Sequence, residues 1–325
     1  MDRSSAPDLS VVIPVYGSAA ILPELARRLQ EVLEVTYGAG SFEVVMVEDC
    51  GPDHAWQVIV KLAASRPWLR AIQLRKNAGQ HNAIMAGLRQ ARGRFIVTMD
   101  DDLQHDPEDI PRLVATLEAG YDLCYAQFED RQHALWKRLG SRFNDVVASR
   151  LLRKPKGLYL SPFRAVRRAI RDEALRYEGP FVYVDGLLLQ STNNIATIQA
   201  QHHARSDGQS GYSLRKSISL WLQMATSFSV TPLRFVSIAG IAASCIGFLL
   251  AVVVFVSKLM SPGLPVGWAS LIIAVLMMGG LQLLALGAIG EYVGRVLLSL
   301  NRRPQYVVRR LLNIRRENGQ TDDAD

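Results

Sequence analysis

Between residues 9 and 128 short apolar runs alternate with amphipathic stretches. The runs at 9–15, 42–47, 69–74, 95–99 and 123–128 are rich in Val and Ile and bounded by polar residues, which predicts buried strands. Between them apolar residues return at helical spacing. Ile21, Leu22, Leu25, Leu29, Val32 and Leu33 form one stripe, and Trp56, Ile59, Val60 and Ala63 a second. Ile84, Leu88 and Ala91 form a third, and Ile110, Leu113, Val114 and Leu117 a fourth. Strand-helix alternation with short connections predicts an α/β fold with a mostly parallel sheet, and ligands bind such sheets beyond the carboxyl ends of the strands.

A different pattern begins near residue 235. From Phe235 to Gly290 the only charged residue is Lys258. Two stretches, 235–256 and 268–290, each exceed the roughly 20 residues that cross a bilayer. Pro262, Gly263, Pro265 and Gly267 separate them, which predicts a two-helix transmembrane hairpin. A pair of buried core helices is the competing reading, but helices apolar all round have no face for water. Arg205, Arg215, Lys216 and Arg234 precede the hairpin, and Arg295, Arg302, Arg303, Arg309, Arg310, Arg315 and Arg316 follow it. The distribution of basic residues then predicts a multi-pass protein of the inner (plasma) membrane, with both termini and the polar body cytoplasmic. Glu291 and Arg295 are spaced to pair along a helix or to face a polar site at the membrane surface.

Two further segments read as interfacial amphipathic helices. In 131–156, Trp136, Leu139, Phe143, Val146, Val147 and Leu151 recur among eight Lys and Arg residues. In 213–232, Trp221, Leu222 and Phe228 lead to Pro232. Packing on the sheet with a solvated basic face is the alternative for both. The expected organisation is a catalytic body at 1–212, the interfacial helix at 213–232, the hairpin at 233–294 and a basic cytoplasmic tail at 295–325.

Composition sharpens this picture. The 325 residues carry 37 Lys and Arg against 30 Asp and Glu, a net charge of +7. Such an excess suits nucleic acid or an anionic surface, and its clustering beside the apolar segment selects the membrane and no nucleic acid. Cys50, Cys124 and Cys245 are far apart, so neither a disulfide framework nor a zinc site is expected, and a reducing compartment fits. The polar N-terminus does not read as a signal peptide.

Candidate chemistry sits at the strand ends. Asp100, Asp101 and Asp102 follow the fourth run directly. Residues i and i+2 of an extended chain point the same way, so Asp100 and Asp102 can converge on Mg2+ or Mn2+, which bridge carboxylates to phosphates. A solvated turn or a cap for the helix near Pro107 competes with this. Glu48 and Asp49 end the second run, where Asp49 can accept from ribose hydroxyls or a base N–H, or simply make a turn before Gly51. Asn77, with Arg75 and Lys76, precedes a helix opened by Gly79, Gln80 and His81. That arrangement suits a phosphate or is a plain glycine turn.

In order and spacing, VVIPVY (11–16), VEDCGPD (47–53), RKNAGQHNAIMAG (75–87), DDDLQHDPEDIP (100–111), RSDGQSGYS (205–213) and EYVGR (291–295) resemble glycosyltransferase family 2, in particular its polyprenyl-phosphate glycosyltransferases. The resemblance covers residues 9–310. It implies a GT-A (Rossmann-like) nucleotide-sugar domain that moves a sugar from a nucleotide-sugar to polyprenyl phosphate, with inversion and a divalent metal. By position, Pro14, Tyr16 and Asp49 would contact the nucleoside, and Glu48, Asn77, Gln80, His81, Asp100 and Asp101 would line the donor pocket. Asp100 and Asp102 would hold the metal, with Asp102 the more direct ligand, and Arg205 and Ser210 would face the acceptor phosphate. Relatives of this kind are often tetrameric, which implies a homo-oligomer.

The sequence departs from the family pattern at several positions. Gly17-Ser18 stand where the family has Asn-Glu, and Glu48-Asp49-Cys50-Gly51 where it has Asp-Asp-Gly-Ser. Gly211 replaces a lysine of the acceptor region, a role that Arg215 or Lys216 can take. Leu158 stands where relatives carry a carboxylate discussed as a base. A phosphate acceptor does not need that base, because phosphomonoesters are largely dianionic near pH 7. Orientation and charge stabilisation then suffice. Asp185, in FVYVDG, is a spare carboxylate that can orient the sugar or make a turn before Gly186. Two other functions compete: a processive polysaccharide synthase, whose Gln-x-x-Arg-Trp motif is missing, and an inactive membrane-anchored nucleotide-sugar-binding protein, against which the intact acidic trio argues.

Overall fold

The computed structural model describes residues 6–128, 155, 158–200, 267–301 and 304–314, with scattered positions between 238 and 256. The interfacial segments (Pro155 apart) and Arg205, Ser210, Arg215 and Lys216 lie outside the described residues. In chain order the elements are β1 (Leu9–Val15), α1 (Leu22–Tyr37), β2 (Phe42–Glu48), α2 (Ala55–Ala64), β3 (Leu69–Leu74), α3 (Gln80–Gln90) and β4 (Phe95–Thr98). A 3-10 turn (Pro107–Asp109), α4 (Ile110–Glu118), β5 (Leu123–Phe128), β6 (Arg164–Arg167), α5 (Arg168–Ala174) and α6 (Val184–Ser191) follow, then β7 (Ile195–Ala200), α7 (Trp268–Leu300) and β8 (Val308–Leu312).

All eight strands form one sheet in the order β7-β5-β6-β4-β1-β2-β3-β8. β3, β2, β1 and β4 run parallel. Every residue of β1 and β2 is buried, as expected where both faces of a parallel sheet are covered. The chain moves outward from β1 through β2 to β3, then returns to place β4 on the other side of β1. That reversal opens a crevice beyond the carboxyl ends of β1 and β4. Helix α3 seals one face at close range, because a Cβ at Gly87 would run into Val12 of β1. Pro14 is tolerated in this central strand for a local reason. Its missing N–H would face β4, and that ladder ends at Val12 and Thr98.

Three strands have no counterpart among the expected runs. β6 is four residues long with an arginine at each end, and it lies antiparallel between β4 and β5. β7 is half exposed and polar in part. β8 carries exposed Arg309 and Arg310 and pairs antiparallel with β3. Residues 303–325 therefore group with 1–211 as one compact unit, and 212–302 form a second.

A buried ionic clamp closes the amino end of the sheet, opposite the crevice. Glu43, 2% exposed, accepts from Ser10 Oγ at 2.7 Å, Arg70 Nη1 at 2.7 Å and the Arg92 N–H at 2.6 Å. Burial opposes its charge, yet Arg70, Ser10 and Arg92 together hold the carboxyl below its ordinary range. The return segment joins this clamp. The Asn313 carbonyl accepts from Arg70 Nε, and Asn313 Nδ2 donates to the Leu69 carbonyl at 2.8 Å.

In the second unit, α7 runs to Leu300 rather than ending near Gly290. Its 33 residues span about 50 Å. Within it, Met278–Leu298 is long and apolar enough to cross a membrane, the one such helix among the described residues. Of the expected first span, the described positions are helical and, Gly240 apart, exposed, Ile246, Phe248 and Leu249 among them.

Candidate active site

The loops after β1, β2, β3 and β4 meet above the crevice, and carboxylates bind them to one another. Asp49, at the end of β2, is 3% exposed. Its two oxygens accept the Ala78 N–H at 2.6 Å and the Gly79 N–H at 2.8 Å, which holds the start of α3 against β2. Burial pushes its carboxyl up, and those two amides pull against the shift. Glu48 closes its own turn by accepting the Gly51 N–H at 2.7 Å. Asp53 reaches back to the first loop and accepts the Ala19 N–H at 2.7 Å. Asn77 is exposed on the β3–α3 loop.

The three aspartates after β4 diverge in role. Asp100 accepts from Gln80 Nε2 at 2.6 Å, which ties β4 to α3. Its backbone N–H donates to His105 Nδ1 at 3.1 Å, so a neutral His105 carries its proton on Nε2. The His105 ring stacks on Phe163 at 5.0 Å and Phe128 at 5.6 Å. Asp101 Oδ2 accepts the Tyr16 N–H at 3.1 Å and the Ser18 hydroxyl. Asp102 Oδ1 accepts the Gln104 N–H at 3.2 Å, and its second oxygen has no donor among the described residues. Burial, then the Asp102 and Asp101 carboxylates, push Asp100 up to about 7.

The backbone is unusual at the same place. Cys50 and Leu103 take φ of 54° and 58°, a left-handed conformation costing a side-chain-bearing residue on the order of 1–2 kcal/mol. The loop after β1 explains one departure from the family pattern. Gly17 has φ 73°, a conformation that Gly and Asn adopt most readily. Ser18 then offers Asp101 a hydroxyl, which a glutamate could not do.

Behind the trio lies a polar chamber that the sequence pattern does not reveal. Arg164 of β6 is 1% exposed and Asp185 of α6 is 7% exposed. Arg164 Nη1 and Tyr125 Oη both donate to Asp185 Oδ1, the latter at 3.0 Å. Burial works against the Arg164 charge, but Asp185 and Tyr125 raise its pKa on balance. Asp185 is therefore held by protein partners, where the sequence left it a choice between sugar contact and turn. The His81 ring meets Tyr183 edge-on at 5.0 Å, and burial lowers its pKa. Among the described residues, His81 Nδ1 and Arg164 Nε are buried without a hydrogen-bond partner. An arginine inside the short apolar run Phe163–Val166 was the one available signal for this chamber.

Among the described residues, no group of three or more His, Cys, Asp or Glu side chains encloses an ion. Mg2+ or Mn2+ held jointly with a diphosphate needs only one or two protein carboxylates. Asp102, with an oxygen to spare, and Asp100, crowded by like charge, fit that requirement.

Residues 10–175 match the family described as glycosyl transferase family 2. An undecaprenyl-phosphate 4-deoxy-4-formamido-L-arabinose transferase of Proteus mirabilis (strain HI4320) is 33% identical over 316 residues, covering 95% of both chains. The protein of the same name from Pseudomonas aeruginosa (strain LESB58) is 35% identical over 312 residues, covering 94% of this chain and 90% of its own. Among solved structures, glucosyl-3-phosphoglycerate synthase of Mycobacterium tuberculosis, in complex with Mn2+, UDP and glucosyl-3-phosphoglycerate, shares the fold. Its TM-score is 0.50 at 17% identity, over 68% of this chain and 78% of that one. On its profile match and its near-full-length identity to these transferases, the chain belongs to glycosyl transferase family 2.

Proposed function

We propose that this glycosyltransferase moves a sugar from a nucleotide-sugar to a polyprenyl phosphate at the cytoplasmic face of the membrane, inverting the anomeric centre. The observation that carries this is the meeting of the strand-end loops around three aspartates, one of which keeps an oxygen without a donor among the described residues. The names of the relatives supply the acceptor class.

The nucleoside would lie against the loops after β1 and β2, where the ring of Tyr16 is 56% exposed. Gln80 and Asp100 fix the start of α3 beside the diphosphate, and the N-terminus of that helix favours negative charge. Asp102 and Asp100 would hold Mg2+ or Mn2+, which when bound supplies positive charge for the departing diphosphate. The lipid phosphate needs no general base. This chain's task is to align it behind the anomeric carbon and keep water away. Arg205 and Ser210, with Arg215 or Lys216, are the proposed acceptor-phosphate contacts.

The membrane reading is a hairpin with both ends cytoplasmic. Its support is the path of the chain: β8 follows α7 and joins the same sheet as β1 to β7, which favours an even number of crossings between them. The test incubates full-length protein in membranes with labelled UDP-, dTDP- and GDP-sugars and polyprenyl phosphate, then extracts the lipid. Transfer by the wild type and its loss in Asp102→Ala, with the variant still folded, is expected. Full activity in Asp102→Ala would overturn the role given to that residue.

A further inference from the structure

Asp101 sits between two proposed metal ligands yet turns its carboxylate toward the loop after β1. Both of its partners belong to the loop after β1. The Tyr16 N–H lies 3.1 Å from Oδ2, and the Ser18 hydroxyl donates to the same oxygen. Ser18 is 8% exposed. Gly17, at φ 73°, makes the turn that lets donors on either side of it reach one atom. From the opposite flank Asp53 holds the next residue, through the Ala19 N–H at 2.7 Å. The loop is thus gripped by carboxylates from both neighbouring strands, and the exposed Tyr16 ring projects from the gripped point.

We propose that Asp101 is a positioning residue, a latch that fixes the β1 loop as the nucleoside-facing wall and is neither a metal ligand nor a donor contact. This rests on the nucleotide-sugar reading above. It divides the trio physically. Asp100 takes the Gln80 amide and Asp102 the nearby Gln104 N–H, whereas Asp101 alone is held by the loop after β1. A carboxylate that accepts two hydrogen bonds from one loop restricts that loop more than either bond alone, because each bond orients the other.

The test uses full-length protein in detergent and four variants: Ser18→Ala, Asp101→Ala, the double variant and Ser18→Thr. Calorimetry measures Mn2+ alone, then UDP, dTDP and GDP in the presence of Mn2+. For whichever nucleotide the wild type binds, Ser18→Ala and Asp101→Ala should each weaken binding by about tenfold, the scale of one charge-assisted hydrogen bond. Mn2+ affinity should stay within about twofold. The double variant should be no weaker than the weaker single one, since both remove the same latch, and Ser18→Thr should restore binding. A loss of Mn2+ affinity in Asp101→Ala makes it a ligand and overturns the proposal. Additive losses in the double variant overturn it too. Wild type that binds none of the three nucleotides would sink the functional reading instead. The latch then stands or falls on the melting temperatures of the same variants: non-additive shifts support it, and additive shifts refute it.

Discussion

Removing the Arg164 guanidinium should unfold far more than a surface substitution does. Arg164→Met keeps the length and apolar bulk of the side chain but deletes the cation. Asp185 would be left 7% exposed with the Tyr125 hydroxyl as its remaining hydrogen-bond partner among the described residues. Losing a hydrogen bond to a charged group costs about 1.5–3 kcal/mol, and a stranded buried charge brings the total to about 3–5 kcal/mol. For a unit of this size each kcal/mol lowers the melting temperature by about 2–4 °C, so a fall of about 6–20 °C is expected. Thermal unfolding followed by circular dichroism in detergent measures it. Pairing Arg164→Met with Asp185→Leu removes both charges and should recover most of the loss. Nucleotide binding should not recover with it, because Arg164 also faces Asp100 electrostatically. A single variant melting within about 2 °C of wild type would refute the reasoning, since a pair this deeply buried cannot be both intact and irrelevant.

Mn2+ affinity should rise with pH and level off above about 7, the value to which burial and its neighbours push Asp100. The sign follows from linkage: the metal-free folded protein keeps this proton up to about pH 7, whereas an unfolded aspartate loses it near 4, so metal-free stability declines as pH rises across that window and a cation must displace the proton below 7. Calorimetric titrations at pH 6 and pH 8 check this, and equal affinities would contradict it. Truncation after Leu300 should remove β8, the Gln305 Nε2 contacts to the Tyr177 and Gly179 carbonyls and the Asn313 bonds to Leu69 and Arg70. The bared β3 edge should make the protein aggregate, and size-exclusion chromatography showing a monodisperse truncated protein would argue against a structural role for the tail.

The chain's own pattern determined the frame. Five Val- and Ile-rich runs became β1 to β5 within a residue at each boundary, because a strand buried on both faces must be apolar throughout and the polar punctuation around it is local. The acidic trio was equally legible: three like charges directly after a buried strand are costly unless something offsets them. The apolar stretch near the C-terminus needed only a count of charges.

What tertiary structure alone decided was the partner of each polar group. Nothing near Asp185 foretells an arginine 21 positions earlier or a tyrosine 60 positions earlier. Nothing near Asp49 says that its oxygens are taken by amides 29 and 30 residues away. β6 and β8 escaped notice for the same reason. Their arginines break the apolar pattern, and they are strands because β4, β5 and β3 offer them hydrogen bonds. Periodicity records which face a residue shows to the core. It is silent on which of many distant groups meets it there, and at this site that meeting gives three adjacent aspartates three different sets of partners.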